Sequence, residues 1–197
     1  MDIVIIDYNA GNTQSVKEAV RRCGFQAFVT SDRERIRKAD RIIFPGVGHA
    51  GTAWWYLKQN RLDKLLPDLT QPVLGICLGL QLLCSASEEA KNTGIGIFAV
   101  QVKRFPGGLK VPHMGWNTLK ATKGPLFQSI PTGSYVYFVH SYYAEICDQT
   151  NAECDYGLRF SAGLEQDNFY ALQFHPEKSG AVGETILKNF LVNIDSP

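Results

Sequence analysis

Long apolar runs are missing from this chain of 197 residues. Its most hydrophobic stretch, PVLGICLGLQLLCSA at 72–86, is broken by Gly75, Gly79 and Gln81. It falls short of the roughly 20 apolar residues that a bilayer-spanning helix needs, so no membrane partner is expected. No secretory leader is expected either: MDIVIIDYNAGN has no basic start, meets an acid within seven residues, and its apolar run is only strand-length. A cytoplasmic location is the expectation. Cysteine is scarce, and the five present (Cys23, Cys77, Cys84, Cys147, Cys154) are odd in number and lack CxxC pairing. That argues against a disulfide framework and a zinc knuckle, and leaves reduced thiols of which one is free to be reactive. No histidine pair has ligand spacing and Cys77 and Cys84 are read as seven apart on a helix, so neither a metal nor another cofactor is expected. Charge excess is absent, with 20 Lys plus Arg against 19 Asp plus Glu. Nothing electrostatic favours nucleic acid. Repeats and low-complexity linkers are absent as well, and the length suits one domain, 1–197.

What is present alternates. DIVIID (2–7) is an unbroken β-branched run, the mark of a strand covered on both faces. A helical pattern follows over Thr13 to Cys23, with Gly24 placed to end it. QAFVT reads as a second strand, Ser31 or Asp32 as the cap of a short helix RERIRKA, and RIIF (41–44) as a third strand ending at Pro45 and Gly46. A helix from about Thr52 to Leu66 leads into a fourth strand, PVLGIC. Four such alternations predict an α/β fold, a mostly parallel open sheet flanked by helices. From Gly94 to Phe174 the texture changes to short Val-, Phe-, Tyr- and Gly-rich runs, read as an antiparallel extension of the same sheet. AVGETILKNFLVNI (181–194) closes the chain as an amphipathic helix.

Three pieces carry chemistry. Gly75-Ile76-Cys77-Leu78-Gly79 stands between an apolar strand and the helical run LQLLCSA, the pattern of a nucleophile elbow with Cys in the Ser position. The helix start behind it favours a thiolate and leaves the Leu78 N–H free to stabilise an oxyanion. A buried, inert cysteine would fit the same pattern. His175-Pro176-Glu177 follows the strand NFYALQF. Proline holds His175 extended, so Glu177 projects to the same side and can fix its tautomer, although a strand-end histidine beside a solvated glutamate reads alike. Pro45-Gly46-Val47-Gly48 lacks the Walker and dinucleotide fingerprints. Its Val47 N–H is a candidate second oxyanion donor, with a simple flexible turn as the alternative.

In this order, PGVG (45–48), GICLGLQLL (75–83) and HPE (175–177) resemble the class I, or triad, glutamine amidotransferases over essentially the whole chain. The resemblance implies that Cys77 attacks the side-chain amide of glutamine, His175 protonates the departing ammonia and Glu177 orients His175. It also implies that Gly48, Gln81 and the backbone around Ser141 and Tyr142 hold the substrate. IIDYNAGN, PGVGHAG, HMGWN (113–117) and HPEKS narrow the likeness to the subfamily of glutaminase subunits that serve imidazole glycerol phosphate synthase in histidine synthesis. That subfamily works as a heterodimer with a separate (β/α)8-barrel cyclase, for which this chain has no room. Asn9, Trp116 and Lys178 are then expected at the partner interface. The glutaminase component of another amidotransferase, for anthranilate or pyridoxal phosphate, is the nearest rival. A non-catalytic glutamine-binding scaffold and an independent cysteine peptidase or γ-glutamyl hydrolase are further ones. The Trp54-Trp55 pair is left unexplained.

Overall fold

The computed structural model describes residues 1–9, 11–89 and 92–194. Strands β1 (Ile3–Ile6), β2 (Ala27–Thr30), β3 (Arg41–Gly46) and β4 (Val73–Cys77) pair in parallel in the order β2-β1-β3-β4. Every residue of β1, β3 and β4 is buried, as their continuous apolar runs require. Successive side chains serve different cores. Ile3, Ile5, Ile43, Leu74 and Ile76 pack with Val16, Ala19 and Val20 of α1 (Thr13–Arg22) and Ile186 and Leu187 of α6 (Gly180–Lys188). Val4, Ile6, Ile42 and Phe44 pack with Ile36 of α2 (Arg33–Lys38), Leu57 of α3 (Ala50–Gln59) and Leu62 of α4 (Leu62–Leu65). The sheet is therefore sandwiched between helices.

Local chemistry sets the helix ends. Gly24, at φ 93°, closes α1 with its N–H on Arg21 O while Phe25 N–H returns to Val20 O. Asp32 caps α2 by accepting from Arg35 N at 2.7 Å, a bond worth about 1 kcal/mol. The expected 52–66 helix starts instead at Ala50, where His49 Nδ1 accepts from Gly51 N, and breaks at Arg61, which sits in the left-handed region at φ 56°. The helix after Cys77, α5 (Leu78–Leu83), stops before Cys84, which opens β5 (Cys84–Ser87). Cys77 and Cys84 thus do not share a helix. The cause is tertiary: the backbone of 94–97 hydrogen-bonds to that of residues 82–85, and β5 pairs in parallel with β7 (Phe98–Arg104). The closing helix ends at Lys188 and widens into a π turn over Asn189–Asn193. There the Asn189 amide is held by the Leu126 and Gln128 carbonyls.

In the C-terminal half lie β6 (Asn92–Thr93), β8 (His113–Thr122), β9 (Tyr135–His140), β10 (Tyr142–Ala144), β11 (Thr150–Asp155), β12 (Arg159–Gln166) and β13 (Phe169–Leu172). The sheet continues past β4 as β13-β12-β10-β7-β5-β6. β13 pairs with β4 in parallel, Leu172 against Ile76, so the antiparallel part begins only at β12. Off this path, β8 pairs with β9, Trp116 opposite Tyr137, and with β11, which pairs with β12. Among the described residues no helix is long and apolar enough to cross a membrane.

Candidate active site

The carboxyl ends of β3, β4 and β13 lie side by side, and each delivers one of the three motifs. At the end of β4, Cys77 has φ 54° and ψ −104°, outside the regions open to an L residue. Such strain costs about 1–3 kcal/mol and persists only where the surroundings impose it. They do so here through glycine. A Cβ on Gly79 would collide with the Phe44 carbonyl of β3, and one on Gly75 would lie 2.8 Å from the Leu83 side chain. The turn therefore presses α5 onto the sheet, with Leu78, directly after Cys77, as the first residue of the helix.

His175 leaves β13 extended, at φ −98° and ψ 97°, as the following proline requires. Pro176–Lys178 then folds into a 3-10 turn, and this turn, rather than an extended strand, brings Glu177 back to the ring. His175 Nδ1 and Glu177 Oε1 are 2.7 Å apart, both side chains fully buried. Burial opposes a charged imidazole, but the Cys77 sulfur and the Glu177 carboxylate beside it outweigh burial and push the His175 pKa up to about 10. Nε2 has no hydrogen-bond partner. The ring is thus fixed by Nδ1 with its second nitrogen free for the sulfur. Two residues missing from the sequence reading hold this pair. Asn12 Nδ2 donates to Glu177 Oε1, and Ser179 Oγ donates to His175 O while accepting from Tyr137 N.

A cavity of about 220 Å³ opens over Cys77, lined also by Val47, Gly48, Leu78, Gln81, Glu89, His140, Ser141 and Tyr142. All six residues expected at the oxyanion and substrate positions are among them. The volume lies below the range usual for drug-sized ligands and suits a small metabolite. Glu89, unforeseen, is the only acid among the lining residues, and its carboxylate also accepts from Ala50 N at 2.8 Å. The PGVG turn is free on one side only: Gly48, at φ 105°, has open space, whereas Gly46 is closed in by the Tyr8 hydroxyl and Leu78 Cβ. Among the described residues no His, Cys, Asp and Glu cluster has the arrangement of a metal site.

A model of the family described as glutamine amidotransferase class-I matches residues 4–194. This chain belongs to the class I glutamine amidotransferase family. With that it belongs among enzymes. Its relatives include imidazole glycerol phosphate synthase subunit HisH of Bacteroides thetaiotaomicron, 53% identical over 97% of this chain and 99% of the relative. The subunit of the same description from Yersinia pseudotuberculosis is 47% identical over the same shares. Among solved structures, one described as a glutamine amidotransferase superimposes with a TM-score of 0.74 at 17% identity, over 95% of this chain and 96% of that one. A glutamine amidotransferase from Thermotoga maritima gives 0.69 at 14%, over 98% and 97%. Those two likenesses concern the fold.

Of the residues expected at an interface, Trp116 and Lys178 converge on Tyr137. The Trp116 ring meets Tyr137 edge-on at 6.0 Å between centroids, and Lys178 Nζ stands 5.9 Å over the Tyr137 ring. Trp116 is 55% exposed, with Met114 and Tyr135 exposed on the same two strands. Asn9 is exposed in the loop after β1, its N–H on the Asp7 carboxylate. Trp55 is exposed on α3, and nothing in the structure explains it.

Proposed function

We propose that this chain, as a single domain over 1–197, is the glutaminase subunit of an imidazole glycerol phosphate synthase. It would supply ammonia to a separate (β/α)8-barrel cyclase, in the cytoplasm, where a thiol stays reduced. One observation carries the reading. A chain 53% identical to a HisH subunit over 97% of its length has its elbow cysteine and a buried His–Glu pair at neighbouring strand ends, beside a cavity of metabolite size.

In this reading the Cys77 thiolate attacks the side-chain carbonyl carbon of glutamine, and the Leu78 and Val47 N–H groups receive the oxyanion. His175, protonated and oriented by Glu177, gives its proton to the leaving nitrogen as the C–N bond breaks. Ammonia departs and a γ-glutamyl thioester remains. Water, deprotonated by His175, then adds to the thioester and releases glutamate and the thiolate. Gly48, Gln81, Ser141 and Tyr142 hold the substrate, and Glu89 supplies the negative charge for its α-ammonium group. Trp116, Tyr137 and Lys178 form the docking face, an aromatic anchor with a cation at its rim, and Asn9 is assigned to the same interface.

Free hydrolysis would waste glutamine, so the isolated chain is expected to be a poor glutaminase that the loaded partner switches on. The Val47 peptide, with open space at Gly48, is the element able to turn. Losing one oxyanion donor costs roughly 100- to 1,000-fold in rate, enough for one peptide rotation to carry much of the activation. Cys77→Ala tests the whole assignment. It should abolish glutamine hydrolysis while the complex keeps its ammonia-driven synthesis, and glutamine turnover surviving in the purified variant would exclude Cys77 as nucleophile. Measured in the chain, the complex and the ligand-loaded complex, turnover should rise stepwise with little change in KM.

A further inference from the structure

Behind the cavity wall lies a buried polar chain that the glutaminase reading leaves unused. The Tyr142 carbonyl can only accept, so His140 Nδ1, 2.7 Å away, carries the proton. His140 Nε2 is then an acceptor, and its neighbour at 2.9 Å, His113 Nδ1, must donate. His113 Nε2 in turn accepts from Asn117 Nδ2 at 3.3 Å. Burial holds both rings neutral, His113 at about 4 and His140 at about 3, so each has the single N–H that this direction needs. A second arm starts from the same carbonyl. Gln81 Nε2 donates to Tyr142 O at 3.0 Å and to Gln173 Oε1 at 3.2 Å, and Gln173 Nε2 donates to Cys77 Sγ at 3.9 Å, a long bond of the kind sulfur makes. Neither amide can be reversed. Turning Gln81 would set two oxygens against each other, and turning Gln173 would set two N–H groups together.

We infer that this chain is a positioning relay in which the Tyr142 carbonyl fixes the direction, Gln173 presents an N–H to the Cys77 sulfur, and His113 with Asn117 ties the far end to β8. Gln173 is fully buried and touches the reacting atom; the other members act through it. Cys77 Sγ also lies 3.8 Å from Val139 O, so the sulfur is held between that carbonyl and the Gln173 amide. β8 is also the strand that carries Trp116, one position before Asn117.

The inference rests on Cys77 being the nucleophile, and the test separates the two. The rate of Cys77 alkylation by iodoacetamide, located by mass spectrometry, is followed against pH in the chain and in Gln173→Glu, Gln173→Met and His113→Phe. Phenylalanine keeps the stacking of His113 between Phe138 and Tyr156. The other titratable groups around the sulfur and its cavity, His175 with Glu177, His140, Glu89, Tyr142 and the Tyr8 hydroxyl, stay in place. Gln173→Glu retains the acceptor for Gln81 but removes the donor, and should move the midpoint of the curve up by about one unit or more, a tenfold slower reaction at pH 7. Gln173→Met should shift it less, and His113→Phe should lower kcat a few-fold with KM unchanged. Folding is checked by thermal denaturation, and any one folded variant suffices. A wild-type midpoint in a folded Gln173 variant, or a wild-type kcat in folded His113→Phe, would overturn the relay. Cys77 reacting no faster than the partly exposed Cys147 would overturn the nucleophile assignment and the relay with it.

Discussion

Glu177→Gln takes one charge out of a site sealed from solvent. In the native chain Glu177 Oε1 accepts from His175 Nδ1 at 2.7 Å and from Asn12 Nδ2, while Oε2 is buried without a partner. The amide oxygen of glutamine can keep both of the first two bonds, so ring orientation and tautomer are held. What goes is the charge that favours the imidazolium, and the new NH2 group falls where Oε2 already lacks a partner. A hydrogen bond to a charged group is worth about 1.5–3 kcal/mol net. At 1.36 kcal/mol per factor of ten, kcat should fall roughly 10- to 150-fold if the whole loss is felt when His175 carries its proton. The His175 pKa also comes down from about 10, so the variant should lose its imidazolium at a lower pH. His175→Ala removes the proton carrier itself and should cost more, since general acid–base catalysis contributes about 100- to 10,000-fold. Glutamate release by the ligand-loaded complex, measured across pH, separates the cases. Equal losses in the two variants, or none in Glu177→Gln, would refute the claim that the Glu177 charge holds the imidazolium.

Gly79→Ala drives a Cβ into the Phe44 carbonyl and should cost about 3 kcal/mol or more, lowering Tm by roughly 6–12 °C; a wild-type melt would refute the claim that α5 is pressed onto β3. Glu89→Gln should raise KM for glutamine with little change in kcat, and an unchanged KM would remove Glu89 from the substrate site. Lys178→Ala and Trp116→Ala should weaken or uncouple the complex without unfolding the subunit, measured by titration with the barrel partner, and unchanged affinity and coupling in both would refute the docking face. The buried histidines give stability two opposite pH limbs. His175, raised to about 10 from 6.5, stabilises fully below about pH 6.5 and loses that contribution as pH rises toward 10. His113 and His140, lowered to about 4 and about 3, leave the unfolded chain binding more protons, so their cost sets in as pH falls below about 6.5. Urea midpoints from pH 3 to 10 should show both limbs, and an unaltered acid limb in His113→Phe would contradict the second.

The parallel half of the fold was legible because its determinants are local and dense. Runs such as IVII admit little but a strand buried on both faces, and Gly24 and Asp32 mark helix ends by conformation and capping chemistry that need no distant partner. Legibility fails where a long-range contact decides. LQLLCSA has the pattern of a continuing helix, yet Cys84 turns into strand because residues 94–97 and β7 bind that backbone from outside. NFYALQF sits among antiparallel strands in sequence but pairs in parallel with β4, a choice made by the opening that β3 and β4 leave beside them. β8 and β11 lie within the 94–174 stretch read as antiparallel but have no run of their own in that reading, β8 because HMGWN reads as a motif and its alternation is weak, with His113 buried and Trp116 exposed.

The site divides along the same line. As candidates, Cys77, His175 and Glu177 are readable because the glycines and the proline that shape their backbone lie within two residues of them. Asn12 reaches Glu177 across 165 positions, Gln173 reaches Cys77 across 96, and Gln81 reaches Tyr142 across 61. No periodicity or spacing registers such a bond, because an amide that donates to a buried acceptor reads the same in sequence as one that faces water. What the sequence does hold is the company these amides keep: Asn12 lies in IIDYNAGN, Gln173 one step before FHPE, and Ser179 at the end of HPEKS. Motifs quoted for the residue that reacts also contain the residues that hold it. Each such polar neighbour is thus a candidate for a buried bond to the reacting group, with the fold deciding which of them reach it.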